Sequence, residues 1–345
     1  MPAATEPIAA EPARLDDSNH QQNGRAGDAE AMEHKLVAEH IEALRANINR
    51  VFLGHADAVD LLIIALLARG HALLEDVPGV GKTTLAKALA RSIDGKFSRI
   101  QLTPDLLPAD LLGVSVFNGG TGEFEFKAGP IFANIVLADE VNRTTPRTQS
   151  ALLEAMAEGQ VSVESRTYPL SPPFMVVATQ NPFEFEGTYM LPENQLDRFL
   201  LKIGLGYPNR EAERRLLLTR PGETQLGELK PVLGVEDVVA LQVAARQVRL
   251  EGDLHDYLLD LVEATRTDDR FHLGVSPRGA LALLSAVQAK ALVEGRNYAT
   301  PDDIKSLFRA VCGHRVITRT YLHDGDATAA DQLLGELLES VAAPG

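Results

Sequence analysis

The run Glu75-Asp76-Val77-Pro78-Gly79-Val80-Gly81-Lys82-Thr83-Thr84 sets two glycines, a lysine and two threonines where a chain can wrap a phosphate group. Glycine tolerates the backbone angles that turn N–H groups inward, so Gly79 and Gly81 suit a loop curled around phosphate oxygens. Lys82 would reach the β and γ phosphates of a nucleoside triphosphate, and the Thr83 hydroxyl would ligate Mg²⁺. Asp76, Pro78, Val80 and Thr84 complete the expected nucleotide-binding loop, with ATP and Mg²⁺ as the cofactors it implies. Asp76 stands where such loops usually carry glycine. An acid there is unfavourable beside phosphate unless its side chain points away or caps the loop's own backbone. A glycine-rich turn before an ordinary helix is the bland alternative for the whole run.

Two more segments end apolar strands in polar groups. In Ile135-Val136-Leu137-Ala138-Asp139-Glu140, four apolar residues lead into two acids. Asp139 would hold Mg²⁺, through water, and Glu140 would polarise an attacking water. In Val176-Val177-Ala178-Thr179-Gln180-Asn181, the amide of Asn181 could orient water beside a γ phosphate. Taken singly, the first is an ordinary strand end and the second a turn before Pro182. Following a phosphate-binding loop, the acidic pair by roughly fifty residues, they become the expected catalytic edge.

Such an edge needs a frame. Ala72 to Glu75, Ile135 to Ala138 and Phe174 to Ala178 read as short buried strands. Between the first two lies a helix beginning near Thr83, with Leu85 and Leu89 four residues apart on one face. This alternation predicts an α/β fold with a doubly wound parallel sheet, and ligands bind such sheets at the carboxyl ends of their strands. Upstream, Leu36, Ile41, Leu44 and Ile48 suit one helix face, and a more apolar helix spans about Asp57 to Ala68. Phe117-Asn118-Gly119-Gly120-Thr121-Gly122 signals a hairpin, and a second is expected from Gln160 to Tyr168. From about Pro208 helical signals dominate. Ser276-Pro277 and Thr300-Pro301-Asp302-Asp303 are helix starts, each with a hydroxyl cap and proline in the first turn. The expected organisation is a disordered tail over 1–33, an α/β core over 34–207 and an all-helical lid over 208–345.

The formal net charge of -15 argues against nucleic acid as the main partner, since duplex binders normally present a basic face. Cys312 is the single cysteine, which rules out an internal disulfide and fits a reducing cytoplasm. On an apolar helical stretch it reads as core, not nucleophile. The longest apolar run, Leu61 to Ala68, is too short to span a bilayer, and no signal peptide is visible, so the expected location is cytoplasmic.

The three strand ends, in this order, resemble AAA+ ATPases, and several runs narrow the resemblance to the MoxR family. These are Leu73 to Thr83; Ala138-Asp139-Glu140-Val141-Asn142-Arg143; Thr148 to Met156; Ala178-Thr179-Gln180-Asn181-Pro182; Glu186-Gly187-Thr188-Tyr189; and Gln195-Leu196-Asp197-Arg198-Phe199. The resemblance spans roughly Ile41 to Arg315. It implies a ring, hexameric in the family, that hydrolyses ATP to remodel or activate protein clients. Metal-cofactor insertion and partners with von Willebrand factor A domains belong to the same implication. Arg198 looks like the arginine finger that reaches a neighbouring subunit's γ phosphate, with Arg143 as a rival. Arg278 looks like the lid arginine called sensor 2, projecting toward the nucleotide from a first turn that Ser276 and Pro277 hold rigid, so that it closes the lid over ATP bound between the two domains. For all three arginines a solvated surface charge is the alternative. Val51 to His55 occupy the family's adenine-contacting position. The segment Leu111 to Gly129 looks like the family's helix insert, and Phe117, Phe124 and Phe126 on it are either a client contact or core.

Two other classes of function share these motifs. A nucleic-acid motor would use the same hairpin inserts, and a non-hydrolysing switch would use ATP only to scaffold partners. The acidic charge balance weighs against the first, and the intact Asp139-Glu140 pair against the second.

Overall fold

The computed structural model describes residues 35–77, 79–164, 166–181, 188–219, 223–320 and 328–344. The expected tail, Pro78 and the run 182–187 lie outside the described residues.

Five short strands form one parallel sheet: β1 (Ala72–Glu75), β2 (Phe97–Gln101), β3 (Ile135–Asp139), β4 (Met175–Gln180) and β5 (Leu201–Ile203). Their order is β5-β1-β4-β3-β2, with every neighbouring pair parallel. All of β3 and β4 is buried, because both faces of a central parallel strand are covered. Successive side chains alternate between two cores. Ala72, Leu74, Ile135, Leu137 and Val177 face one, while Leu73, Val136, Ala138 and Val176 face the other. The edge strands β2 and β5 carry no long apolar run, and the sequence reading did not include them. Ile100 is the one buried residue of β2.

The first core is covered by α1 (35–49), α2 (Ala56–Leu67), α3 (Lys82–Ser92) and much of the lid. Against the second packs α4 (Pro146–Glu158), which starts where Thr145 Oγ1 accepts from the Thr148 N–H at 3.4 Å. Both hairpins form, as Gly113–Asn118 with Glu123–Ala128 and Gln160–Val163 with Arg166–Pro169. The three phenylalanines divide. Phe117 and Phe124 are 57% and 66% exposed and meet edge to face, whereas Phe126 stacks on Tyr168 at 4.0 Å and so joins one hairpin to the other.

Beyond β5 the described elements are almost all helical: α5 (Arg210–Thr219), a short turn of helix at Glu223–Glu228, α6 (Val235–Gln247), α7 (Gly252–Thr267), α8 (Pro277–Val293), α9 (Pro301–Cys312) and α10 (Thr328–Ser340). Both helix starts read from sequence form, the first capped by its hydroxyl as expected and the second by Asp303, to which the Thr300 hydroxyl donates at 3.0 Å. Ser276 Oγ accepts from Gly279 N–H at 3.0 Å, and Asp303 reaches back to the Thr300 N–H at 2.8 Å. Arg315 ties the lid to the core. It is buried, its Nε donates to Asp197 Oδ1 at 2.8 Å, and its Nη1 donates to the Leu200 carbonyl at 2.9 Å. Cys312 is fully buried and burial pushes its thiol up to about 12, so it belongs to the core and not to chemistry. None of the described helices is long and apolar enough to cross a membrane.

His71, just before β1, is buried between α4 and β4. The Val176 N–H donates to its Nδ1 at 3.0 Å, so Nε2 carries the proton and donates to the Met156 carbonyl, also at 3.0 Å. Burial pushes its pKa from 6.5 down to about 4. The unfolded chain therefore takes up this proton first as pH falls. The stability His71 contributes is complete above pH 6.5 and is lost progressively towards pH 4, by up to about 3 kcal/mol. Urea unfolding at pH 7 and pH 5 should show wild type losing more stability than His71→Gln. Equal losses would refute this.

Candidate nucleotide-binding site

The loop after β1 opens directly into α3, whose first residue is Lys82. Gly79 and Gly81 have φ of +87° and +98°, a region in which a side chain is strained. Around Gly79 a Cβ would meet nothing within 4 Å, so the loop's outer side is open to a ligand, and at Gly81 it would lie 3.0 Å from the Phe52 ring. Lys82 Nζ donates to the carbonyls of Asp76 at 2.5 Å and Gln180 at 2.9 Å, bridging the ends of β1 and β4. The N-terminus of α3 adds its partial positive charge at the same place.

Asp76 turns away from that opening. Its Oδ1 accepts from Val77 N–H at 2.7 Å, and its Oδ2 accepts from Leu205 N–H at 2.8 Å and Gly206 N–H at 2.5 Å. The acid thus caps its own loop and fastens it to the chain leaving β5 for α5. That resolves the sequence-level difficulty of a carboxylate beside phosphate.

Asp139 and Glu140 end β3 next to the loop. Thr179 Oγ1 donates to Asp139 Oδ1 at 2.7 Å and accepts from Glu140 N–H at 2.9 Å. Arg99 Nη2 donates to Asp139 Oδ2 at 2.7 Å. Glu140 has φ +59°, a strained angle for a residue with a side chain, and the surrounding hydrogen bonds hold it there. Its Oε2 accepts from Gln101 Nε2 at 2.7 Å and lies 3.4 Å from Arg143 Nε. Asn181 is buried at the end of β4, its carbonyl accepting from Asn142 Nδ2 at 3.3 Å. Arg99, Gln101 and Thr179 are the site residues the sequence reading missed. The available signal was the spacing of Arg99 and Gln101, two apart and so on one face of a strand.

A cleft of about 590 Å³ runs from this loop along Val51, Phe52 and His55 to Tyr207 and Leu216. His55 Nε2 is buried with no hydrogen-bond partner among the described residues, so a heteroaromatic base entering here would find a polar group to meet. The residues also suit Mg²⁺, which favours few, hard oxygen ligands and completes its shell with water and phosphate. The Thr83 hydroxyl in the first turn of α3 and the Asp139 carboxylate at the end of β3 are such oxygens.

Arg198, expected to serve a neighbouring subunit, and Arg278, expected to close over this chain's own nucleotide, both lie away from the phosphate loop. Arg198 Nη1 donates to the Leu153 carbonyl at 3.0 Å. Arg198 and Arg278 line one cleft of about 280 Å³, together with Asp197 and Arg315, and no residue of the phosphate loop is in its wall. Lys82, Thr83, Asp139, Glu140 and Asn181 therefore share the carboxyl edge of the sheet, while Arg198 and Arg278 share a separate cleft.

Residues 71–201, from just before β1 to the start of β5, match the ATPase family associated with various cellular activities (AAA), and residues 263–336 match the AAA lid domain. Chaperone MoxR1 of Mycobacterium tuberculosis is 41% identical over 306 residues, covering 86% of this chain and 80% of the relative. The chain belongs to the MoxR family of AAA+ ATPases. Protein MoxR of Methylorubrum extorquens is 32% identical over 93% of this chain and 99% of its own length. A crystal structure of a proposed ATPase from Cytophaga hutchinsonii superposes with a TM-score of 0.83 at 36% identity, covering 92% of this chain and 99% of that one. In this MoxR-type chain the α/β ATPase domain and the helical lid are thus those of the AAA+ fold.

Proposed function

We propose that this MoxR-family chain binds and hydrolyses ATP at a site completed by a second copy of itself in a ring, a hexamer as the family resemblance implies. The observation that carries the reading is the separation of the two clefts. Arg198 and Arg278 are both cations suited to phosphate, yet they line a cleft apart from the loop that would hold it. A ring brings the second cleft of one subunit to the first cleft of the next, so both arginines act on a neighbour's nucleotide.

Within that site the phosphate loop and Lys82 cradle the β and γ phosphates, and Val51 to His55 with Tyr207 take the base. Thr83 and Asp139 hold Mg²⁺, which when bound supplies positive charge against the phosphate oxygens. Glu140 exchanges its Gln101 contact for a water and accepts that water's proton. Asn181 orients the same water, and Arg198 offsets the charge that develops on the transferred phosphoryl group. Because α5 forms part of the nucleotide cleft and Asp76 binds the chain leading to it, nucleotide turnover moves lid against core. That motion would remodel or activate protein clients in the cytoplasm. The chaperone relative supports this, and clients with von Willebrand factor A domains or awaiting a metal cofactor are candidates.

A dilution series tests the shared site. Turnover per subunit should fall as the protein is diluted, in step with the mass seen by light scattering with and without ATP. A monomer that hydrolyses ATP at a concentration-independent rate would overturn the reading.

A further inference from the structure

Arg69 closes α2 and has φ +55°, the left-handed conformation in which glycine is the usual residue at a helix stop. The stop itself is well formed, with Gly70 N–H bonded to the Ala65 carbonyl at 2.8 Å and Arg69 N–H to the Leu66 carbonyl at 3.2 Å. An arginine therefore stands where the backbone favours glycine, and it borders the cleft of Arg198 and Arg278. Four arginines, Arg69, Arg198, Arg278 and Arg315, border this space of about 280 Å³ against one acid, Asp197. That acid is already engaged, by Arg315 Nε at 2.8 Å and Ser276 Oγ at 3.1 Å. Arg246 adds further positive charge beside Arg69. Among the described residues the side chains of Arg69 and Arg278 make no hydrogen bond or ion pair. In a chain of net charge -15, a cleft this cationic suits an anion of more than one charge.

We propose that Arg69 is a third cation of the inter-subunit site and binds the terminal phosphates of the nucleotide held by the neighbouring copy. The inference rests on the shared-site reading above and adds to it a residue that the AAA+ motifs do not name. The end of α2 sets Arg69 at the border of the cleft that Arg198 and Arg278 line. Glycine there would relax the chain but remove the charge.

Arg69→Gly separates stability from function. Relief of the left-handed strain should raise the melting temperature by about 2 °C. ATP turnover in the assembled protein should fall by about 100-fold, the scale for removing one preorganised charge-stabilising group. Arg69→Lys should restore part of the rate. A 1:1 mixture of Arg69→Gly with Lys82→Ala should regain turnover that neither has alone, since intact Arg69 on one chain then faces an intact loop on the other. Wild-type turnover in Arg69→Gly, where Arg198→Ala has collapsed, would overturn the role of Arg69 alone. Full turnover in both variants would overturn the shared site beneath it. Loss without rescue in the mixture would mean that Arg69 serves its own chain or a free anion such as inorganic phosphate, and the proposal would fall. A melting temperature below wild type would remove the strain argument.

Discussion

Replacing Arg198 with alanine is expected to lower ATP turnover by about a thousandfold while leaving nucleotide binding to the single chain intact. The magnitude is the lower end of what an arginine supplied to a phosphoryl-transfer site contributes in related NTPases. The selectivity follows from placement. Arg198 has its one described hydrogen bond to the Leu153 carbonyl at 3.0 Å and lines a cleft without any phosphate-loop residue, so its loss leaves Gly79, Gly81 and Lys82 undisturbed. Losing this part-buried bond from a charged donor should lower stability by about 1.5–3 kcal/mol. The rival, Arg143, lies 3.4 Å from Glu140 on its own chain, so Arg143→Ala should reduce turnover far less. Steady-state turnover and binding of a fluorescent ATP analogue, measured on both variants, decide between them. A larger loss in Arg143→Ala would transfer the finger role to that residue.

The second large effect is expected at Glu140. Glu140→Gln removes the proton acceptor but keeps the length, the polarity and the ability to bond Gln101. Turnover should fall by about 10²–10⁴-fold, the usual contribution of a general base. Binding should persist, because the phosphate cradle is built by the loop, Lys82 and the N-terminus of α3. The strained φ of +59° is no obstacle, since glutamine bears the same backbone strain as glutamate. The neighbouring Asp139 is a poorer position for this test, as Asp139→Asn would disturb the bonds from Thr179 and Arg99 together. A Glu140→Gln protein turning over ATP as fast as wild type would take the base role away from Glu140. Loss of binding in the same variant would show that the residue shapes the pocket instead.

The parts of this protein legible in its sequence are those carried by neighbouring residues. The loop from Asp76 to Thr84 is continuous with the strand before it and the helix after it, so residue types and spacing sufficed to read its geometry. The same holds for Ile135–Asp139 and Met175–Gln180, whose burial is written as the apolar runs Ile135 to Ala138 and Met175 to Ala178, and for the helix starts at Ser276 and Thr300. Tertiary structure alone decided what depends on residues far apart in the chain. The sequence raised the question of Asp76 but could not answer it, because its partners, Leu205 and Gly206, lie some 130 positions away and meet it only when β5 pairs with β1. Strand β2 escaped notice because an edge strand needs little apolar surface, and β5 because it is only three residues long, with Lys202 between buried Leu201 and Ile203. With β2 went Arg99 and Gln101, which face the acidic pair only through the register of Arg99 with Leu137 and Gln101 with Asp139. The placement of Arg69, Arg198 and Arg278 in one cleft required the lid to be docked on the core, a matter of packing between the end of α2, the chain before β5 and the start of α8. Periodicity reports which face of an element is buried, and it carries no information about which two faces meet.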